Sequence, residues 1–167
     1  SPHLGLIPFL RKTLDSKNQE LGTEKIWSEA LDQVGYAEYH FWPRMDDRSE
    51  PDLLILLHDK NDTLLAAVMV EAKYTAPIDP KQLKAELENL KKKGKDWSDA
   101  RLKMLLSVTA HTVRPTKEFE EVFVYWSSWS NVHGCAKNIL EKESQNSKEK
   151  EKQSILKDLT DLLDKKG

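Results

Sequence analysis

Two apolar runs joined by a short polar turn constrain the fold of this chain more than any other feature. They span residues 53–57 and 64–70, and the segment HDKND, which follows the first run, has the composition of a hairpin turn. We therefore expect two antiparallel strands here. Because both runs are apolar at consecutive positions, these strands should lie in the middle of a sheet that is covered on both faces.

Two helices are predicted on either side of this hairpin. The first should begin at Thr23, as its N-cap, and end at Gly35. Its apolar face would comprise Ile26, Trp27, Ala30, Leu31 and Val34. The second should begin after Asp79, as its N-cap, with Pro80 in the first helical position.

Further strands are predicted at AEYHFWPR, KMLLSVTA and EVFVYWSS, and another helix is predicted between residues 131 and 140. The resulting order is helix, three strands, helix, two strands and helix. This order is typical of an α/β domain with a mixed sheet.

The C-terminal part of the chain differs from the rest in composition. The segment EKESQNSKEKEKQS is polar and has no core pattern, so we expect a linker or a solvated helical extension. An amphipathic helix should follow, with an apolar face made of Ile155, Leu156, Leu159, Leu162 and Leu163. We thus expect one domain over residues 1–143, and a linker and helix over 144–167. The helix should dock on its own domain, on a second copy in a homodimer, or on a partner protein.

The composition excludes several classes of protein. No apolar run approaches the roughly 18–20 residues that a membrane span needs, so we expect a soluble, cytoplasmic protein. A single cysteine, Cys135, excludes an internal disulfide framework and a cysteine-based zinc cluster.

Charge is unevenly distributed along the chain. The formal net charge is −2, but residues 73–117 contain 11 Lys and Arg against 5 Asp and Glu, a local net charge of +6. This segment has the charge to face phosphates, or it is an ordinary solvated helix surface.

The second apolar run ends in a carboxylate and an ammonium group. In VMVEAKY, a strand period of two places Met69, Glu71 and Lys73 on one face. Asp52 opens the preceding strand, and in an antiparallel hairpin it should lie beside Glu71. Two neighbouring carboxylates repel each other unless a cation lies between them, and Mg²⁺ suits such a pair. The alternative is an ordinary surface pair of Glu71 and Lys73.

These residues resemble the motif of the PD-(D/E)XK nuclease superfamily. Pro51-Asp52 opens the second strand and Glu71-Ala72-Lys73 closes the third, within a segment that covers residues 23–110. The resemblance implies a restriction-endonuclease-like fold with the core order αβββαβ, followed here by a C-terminal helical extension. It also implies a metal-dependent DNA endonuclease, with Mg²⁺ as cofactor and Mn²⁺ able to substitute.

The resemblance extends to two further residues. Glu24, in the first helical turn, matches an acidic residue that points at the metal in many members, although it is also a favourable residue at any helix start. Gln82 matches a glutamine that some subfamilies place in the helix after the lysine strand, although a solvent-facing glutamine would look the same.

The implied active site contains Asp52, Glu71 and Glu24 as metal ligands, Lys73 acting on the attacking water, and Gln82 in support. Nucleic acid, DNA rather than RNA, would be held by Lys81, Lys84, Lys91, Lys92 and Lys93. Two alternatives remain: a catalytically inactive protein of this fold that binds nucleic acid or protein, and an unrelated α/β interaction domain that acts through its C-terminal helix.

Overall fold

A single mixed sheet organises the part of the chain that the structure describes. The computed structural model describes residues 5–41, 43, 45, 50–143 and 150–165. Its strands are β1 (Val34–Phe41), β2 (Leu53–Asp59), β3 (Leu64–Lys73), β4 (Leu102–Thr109) and β5 (Tyr125–Ser128). They lie in sequence order, with antiparallel pairing of β1 with β2 and of β2 with β3, and parallel pairing of β3 with β4 and of β4 with β5. The predicted α/β class and mixed sheet are confirmed.

Helices cover both faces of this sheet. They are α1 (Leu6–Arg11), α2 (Lys25–Asp32), α3 (Pro80–Lys91), α4 (Trp129–Glu143) and α5 (Lys150–Lys165), with a short 3₁₀ turn at Leu21–Thr23. Buried residues of α1, α2, α4 and α5 form one core cluster with residues of alternate strand positions such as Val70. Leu83 and Leu90 of α3 form a second cluster with Met69 on the opposite face. Strands β2 and β3 are therefore buried on both faces, as their apolar runs predicted.

Helix α3 begins as predicted. The Asp79 side chain accepts hydrogen bonds from the backbone N–H groups of Lys81, at 3.0 Å, and Gln82, at 3.4 Å, and Pro80 occupies the first helical position. This N-cap satisfies donors that the helix itself cannot pair. It fixes where α3 starts relative to the end of β3.

The predicted bounds of the first helix are wrong at both ends. Thr23 ends the 3₁₀ turn, its hydroxyl donates to the Glu20 carbonyl, and the N-cap position belongs to Glu24. The helix ends at Asp32, so that Val34 and Gly35 lie in β1 instead. Ile26, which was predicted on the apolar face, is 66% exposed and does not join the buried face of Trp27 and Leu31.

Gly35 lies in β1, where it allows close approach of the neighbouring backbone, and it does not end a helix. The pairing of β1 with β2 is irregular between Val34 and Tyr36, and a Cβ atom at Gly35 would lie 2.6 Å from the backbone nitrogen of Lys60. Only a residue without a side chain allows the two backbones to approach this closely.

The N-terminal segment contains elements that the sequence patterns did not predict. Helix α1 is short and contains Pro8, so it lacks a helical period long enough to detect. After it, Leu14 exchanges two backbone hydrogen bonds with Trp126 of β5, at 2.8 and 2.9 Å. This pairing covers the outer edge of β5, which would otherwise present open backbone groups.

Helix α5 docks on its own domain. Leu162 and Leu163 are each 2% exposed and belong to the core cluster that contains α1, α2 and α4. The described part of the apolar face that suggested a homodimer, Leu159, Leu162 and Leu163, thus packs within the chain. The side chains of Ile155 and Leu156, and Trp42 and Arg44 of the first predicted strand, lie outside the described residues.

Among the described residues, no helix combines the length and the apolar character that crossing a membrane requires.

Gly35→Ala should lower the free energy of unfolding by about 1–3 kcal/mol, because the added methyl group must displace backbone atoms of the β2–β3 turn. Gly134→Ala is the matched control: a Cβ there meets nothing within 4 Å, and alanine should stabilise α4 by about 1 kcal/mol. Urea unfolding of both variants measures the difference. Equal effects of the two substitutions would contradict this account of Gly35.

Candidate functional site

The hairpin register places Asp52 beside Glu71. Leu53 pairs with Val70, and the Asp52 N–H donates to the Val70 carbonyl at 3.1 Å. In return, the Ala72 N–H donates to Asp52 Oδ2 at 2.6 Å. The Asp52 carboxylate is thereby held against the last residues of β3, as the sequence predicted.

Glu71 lies in contact with two of the other predicted site residues. Its Oε1 accepts a hydrogen bond from Gln82 Nε2 at 3.0 Å and lies 3.5 Å from Lys73 Nζ. The Gln82 side chain is therefore directed at Glu71 and not at solvent. The structure brings together Asp52, Glu71, Lys73 and Gln82, from three different elements.

Burial makes this cluster electrostatically unusual. Asp52 is 0% exposed and Glu71 1% exposed, whereas ionised carboxylates are rarely fully buried. The N–H of Ala72, the Gln82 amide and the Lys73 ammonium offset part of the desolvation cost. Two acidic side chains and one basic side chain, Asp52, Glu71 and Lys73, are thus grouped at the end of β3.

Glu24 makes its described contacts elsewhere. The Tyr125 hydroxyl lies 3.1 Å from both carboxylate oxygens of Glu24 and donates its hydrogen bond to this group. Burial, followed by the Glu24 charge, raises the pKa of Tyr125, so that its hydroxyl keeps its proton at neutral pH. Tyr125 packs in the core cluster on the face of the sheet opposite α3.

The contacts described for Glu24 do not connect it to Asp52 or Glu71. Among the described residues, no group of three or more His, Cys, Asp or Glu side chains is arranged to hold a metal ion. A metal-ligand role for Glu24 stays a prediction.

Two hydroxyl residues of β4 border the site and were missed in the sequence. Ser107 is the register partner of Glu71, and Thr109 is that of Lys73. The Ser107 side chain is 1% exposed, and its hydroxyl makes no hydrogen bond with any described residue. Their alternate positions in KMLLSVTA place Ser107 and Thr109 on one face of the strand, which was the available sequence signal. Which residues lie beside them depends on the parallel register of β3 and β4, and the sequence does not reveal that register.

No protein-family model, curated protein or solved structure matches this chain.

The five predicted phosphate-binding lysines differ in their surroundings. Lys81, Lys91 and Lys93 are exposed, and Lys92 is half-buried. Lys84 Nζ lies 2.8 Å from Glu121 Oε2, an exposed pair, and this contact with Lys84 lowers the pKa of Glu121. Lys81 directly precedes Gln82 and therefore lies beside the site. Lys91 follows Gln82 by nine residues, which places it about 14 Å from Gln82 along the helix axis.

Gln82→Ala should lower the free energy of unfolding by about 1–3 kcal/mol in EDTA, because it removes a hydrogen-bond donor from the buried Glu71 carboxylate. Gln82→Glu should lower it further, since a second carboxylate would then face Glu71. Gln19→Ala, at an exposed position, should stay within about 0.5 kcal/mol of the wild type. Urea unfolding measures these free energies. If Gln82→Ala lowers the free energy of unfolding no more than Gln19→Ala does, the hydrogen bond from Gln82 to Glu71 does not stabilise the fold.

Proposed function

We propose that this protein is a metal-dependent nuclease with a restriction-endonuclease-like fold, which hydrolyses phosphodiester bonds in DNA. The observation that carries the proposal is the convergence of Asp52, Glu71 and Lys73 at one end of β3. Two carboxylates and an ammonium group at one place are the groups that hydrolysis of a phosphodiester needs: ligands for a cation, and a positive group near the phosphate and water.

The arrangement of the sheet supports the same proposal. An antiparallel hairpin, a crossover helix and a parallel strand follow α2 in the order expected of this class of nuclease. The site lies at the carboxyl end of β3, beside the parallel strand β4. In sheets of this kind, ligands commonly bind at the carboxyl ends of the strands.

The residues present fit a magnesium ion. Mg²⁺ commonly binds one or two protein carboxylates and fills its remaining positions with water and phosphate oxygens. Asp52 and Glu71 would hold it, with Gln82 orienting the Glu71 carboxylate. Bound there, Mg²⁺, or Mn²⁺ in its place, would neutralise charge on the phosphate and make a bound water more acidic.

Lys73 would act on water and phosphate. Its side chain is 16% exposed, so it is anchored by Glu71 at 3.5 Å while its ammonium group remains within reach of solvent. From this position the ammonium group would orient the attacking water and stabilise the negative charge that develops on the phosphate.

Asp52→Asn and Lys73→Ala should each reduce cleavage of plasmid and oligonucleotide DNA in Mg²⁺ by at least about 100-fold, since the first removes a ligand of the metal and the second removes the positive group beside the phosphate. Mg²⁺ should also stabilise the wild type, by about 2.7 kcal/mol at 100 times its Kd, and should not stabilise Asp52→Asn. Cleavage rates and unfolding with and without Mg²⁺ measure both effects.

Two controls make this test specific. Lys60→Ala removes an exposed lysine at the other end of the hairpin and should leave cleavage unchanged. Glu24→Gln should reduce cleavage less than Asp52→Asn does, because the described contacts of Glu24 are with Tyr125. Folded wild type that neither cuts DNA nor responds to metal would refute the nuclease and favour an inactive binding protein of this fold.

Lys81→Ala should weaken DNA binding and lower the slope of log Kd against log salt concentration by about one, the value for one lost phosphate contact. Lys84→Ala should have a smaller effect, because Lys84 is paired with Glu121, and Glu121→Gln should strengthen binding by releasing it. Binding titrations with duplex DNA at several salt concentrations, in EDTA, measure these slopes. If Lys84 and not Lys81 contacts the phosphates, Lys84→Ala will weaken DNA binding more than Lys81→Ala does, and this result would contradict the prediction.

A further inference from the structure

Three aromatic side chains form a connected group, which we call the aromatic platform: Tyr74, Trp129 and His133. The ring centroids of Tyr74 and Trp129 are 5.5 Å apart at an interplanar angle of 65°. Those of Trp129 and His133 are 4.2 Å apart at 87°. These edge-to-face contacts hold the rings in a defined mutual orientation.

The aromatic platform lies at the same end of the sheet as the candidate site. Tyr74 directly follows Lys73, at the end of β3. Trp129 directly follows Ser128, the last residue of β5, and Ser128 and Lys73 both pair with Thr109 of β4. Rings from the ends of β3 and β5 therefore meet beside the end of β4.

The exposure of the rings suits a surface that receives a flat ligand. Trp129 is half-buried and packs against the core, which anchors it. Tyr74 is 41% exposed and His133 is exposed. Water therefore reaches Tyr74 and His133, while Trp129 holds them in place.

The charge around the platform suits a polyanion. Residues 72–78 and 122–140 contain no Asp or Glu, whereas they contain Lys73 and Lys137. These two segments therefore supply lysines and no carboxylate, and the acidic residues that flank the first of them are Glu71, which is buried and lies 3.5 Å from Lys73 Nζ, and Asp79, the N-cap of α3.

We propose that the exposed ring of Tyr74, held in place by Trp129, stacks on an unpaired nucleobase whose neighbouring phosphate is contacted by the Lys73 ammonium group. This inference rests on the proposed function and adds a substrate class to it: single-stranded nucleic acid, or a duplex with a frayed end or a flap. Bases inside a duplex have both faces covered by neighbouring bases, so only an unpaired base offers a free face to an aromatic ring.

The test is the affinity of the whole chain, in EDTA, for three fluorescent probes of equal length: oligothymidylate, a strand of abasic residues and a blunt duplex. Tyr74→Ala and Trp129→Ala should each weaken oligothymidylate binding about tenfold and leave abasic-strand binding unchanged. Tyr74→Phe and Trp129→Phe should retain most of the affinity. Phe123→Ala is the matched control, because Phe123 is 64% exposed and its described ring contact is with Tyr125, which is not one of the three platform residues.

The proposal is overturned if Tyr74→Ala binds oligothymidylate as the wild type does, or if the abasic strand loses as much affinity as oligothymidylate. Tyr74 is exposed, so its substitution reports on the platform even if Trp129→Ala unfolds.

The cleavage assay separates this result from the nuclease itself. Asp52-dependent cutting together with unchanged oligothymidylate binding by Tyr74→Ala refutes the platform and leaves the nuclease standing. Tyr74-dependent binding without any cutting supports the platform and refutes the nuclease.

Discussion

The register between β2 and β3 governs the site and much of the fold around it. Because Leu53 pairs with Val70, Asp52 lies beside Glu71. The hydrogen bond from the Ala72 N–H to Asp52 Oδ2 stabilises this register. A slip of one residue would move every β3 side chain to the other face and would turn Glu71 away from α3. Both faces of these strands are buried, so such a slip would also disrupt both core clusters.

Helix α3 depends on this register and completes the site. Its N-cap at Asp79 sets where the helix starts, and Leu83 and Leu90 hold it on the face that carries Met69. From the first turn of the helix, the Gln82 side chain then reaches Glu71. Burying the two neighbouring carboxylates Asp52 and Glu71 costs free energy of folding. The Ala72 N–H, the Gln82 amide and the Lys73 ammonium group offset part of this cost.

The sheet also separates two groups of polar residues. Glu24 and Tyr125 belong to the layer that contains α1, α2, α4 and α5, whereas Glu71, Lys73 and Gln82 belong to the α3 layer. The two layers meet at the carboxyl ends of β3, β4 and β5, where Tyr74 and Trp129 follow their strands. Under the proposed function, a nucleic acid strand bound at this edge would contact residues from both layers.

Local patterns in the sequence determined the hairpin, the start of α3, the shared face of Glu71 and Lys73, and the place of Asp52 beside Glu71. Each follows from strand alternation, capping chemistry or a short turn, which act over a few residues. Tertiary structure decided the remaining contacts. Gln82 donates a hydrogen bond to Glu71, Glu24 accepts one from Tyr125, and α5 packs against the core of its own domain. The register of β4 places Ser107 and Thr109 beside the site. Those contacts depend on how distant elements pack and on the register of parallel strands joined by a crossover. Since no single segment encodes that packing, the sequence by itself left them open.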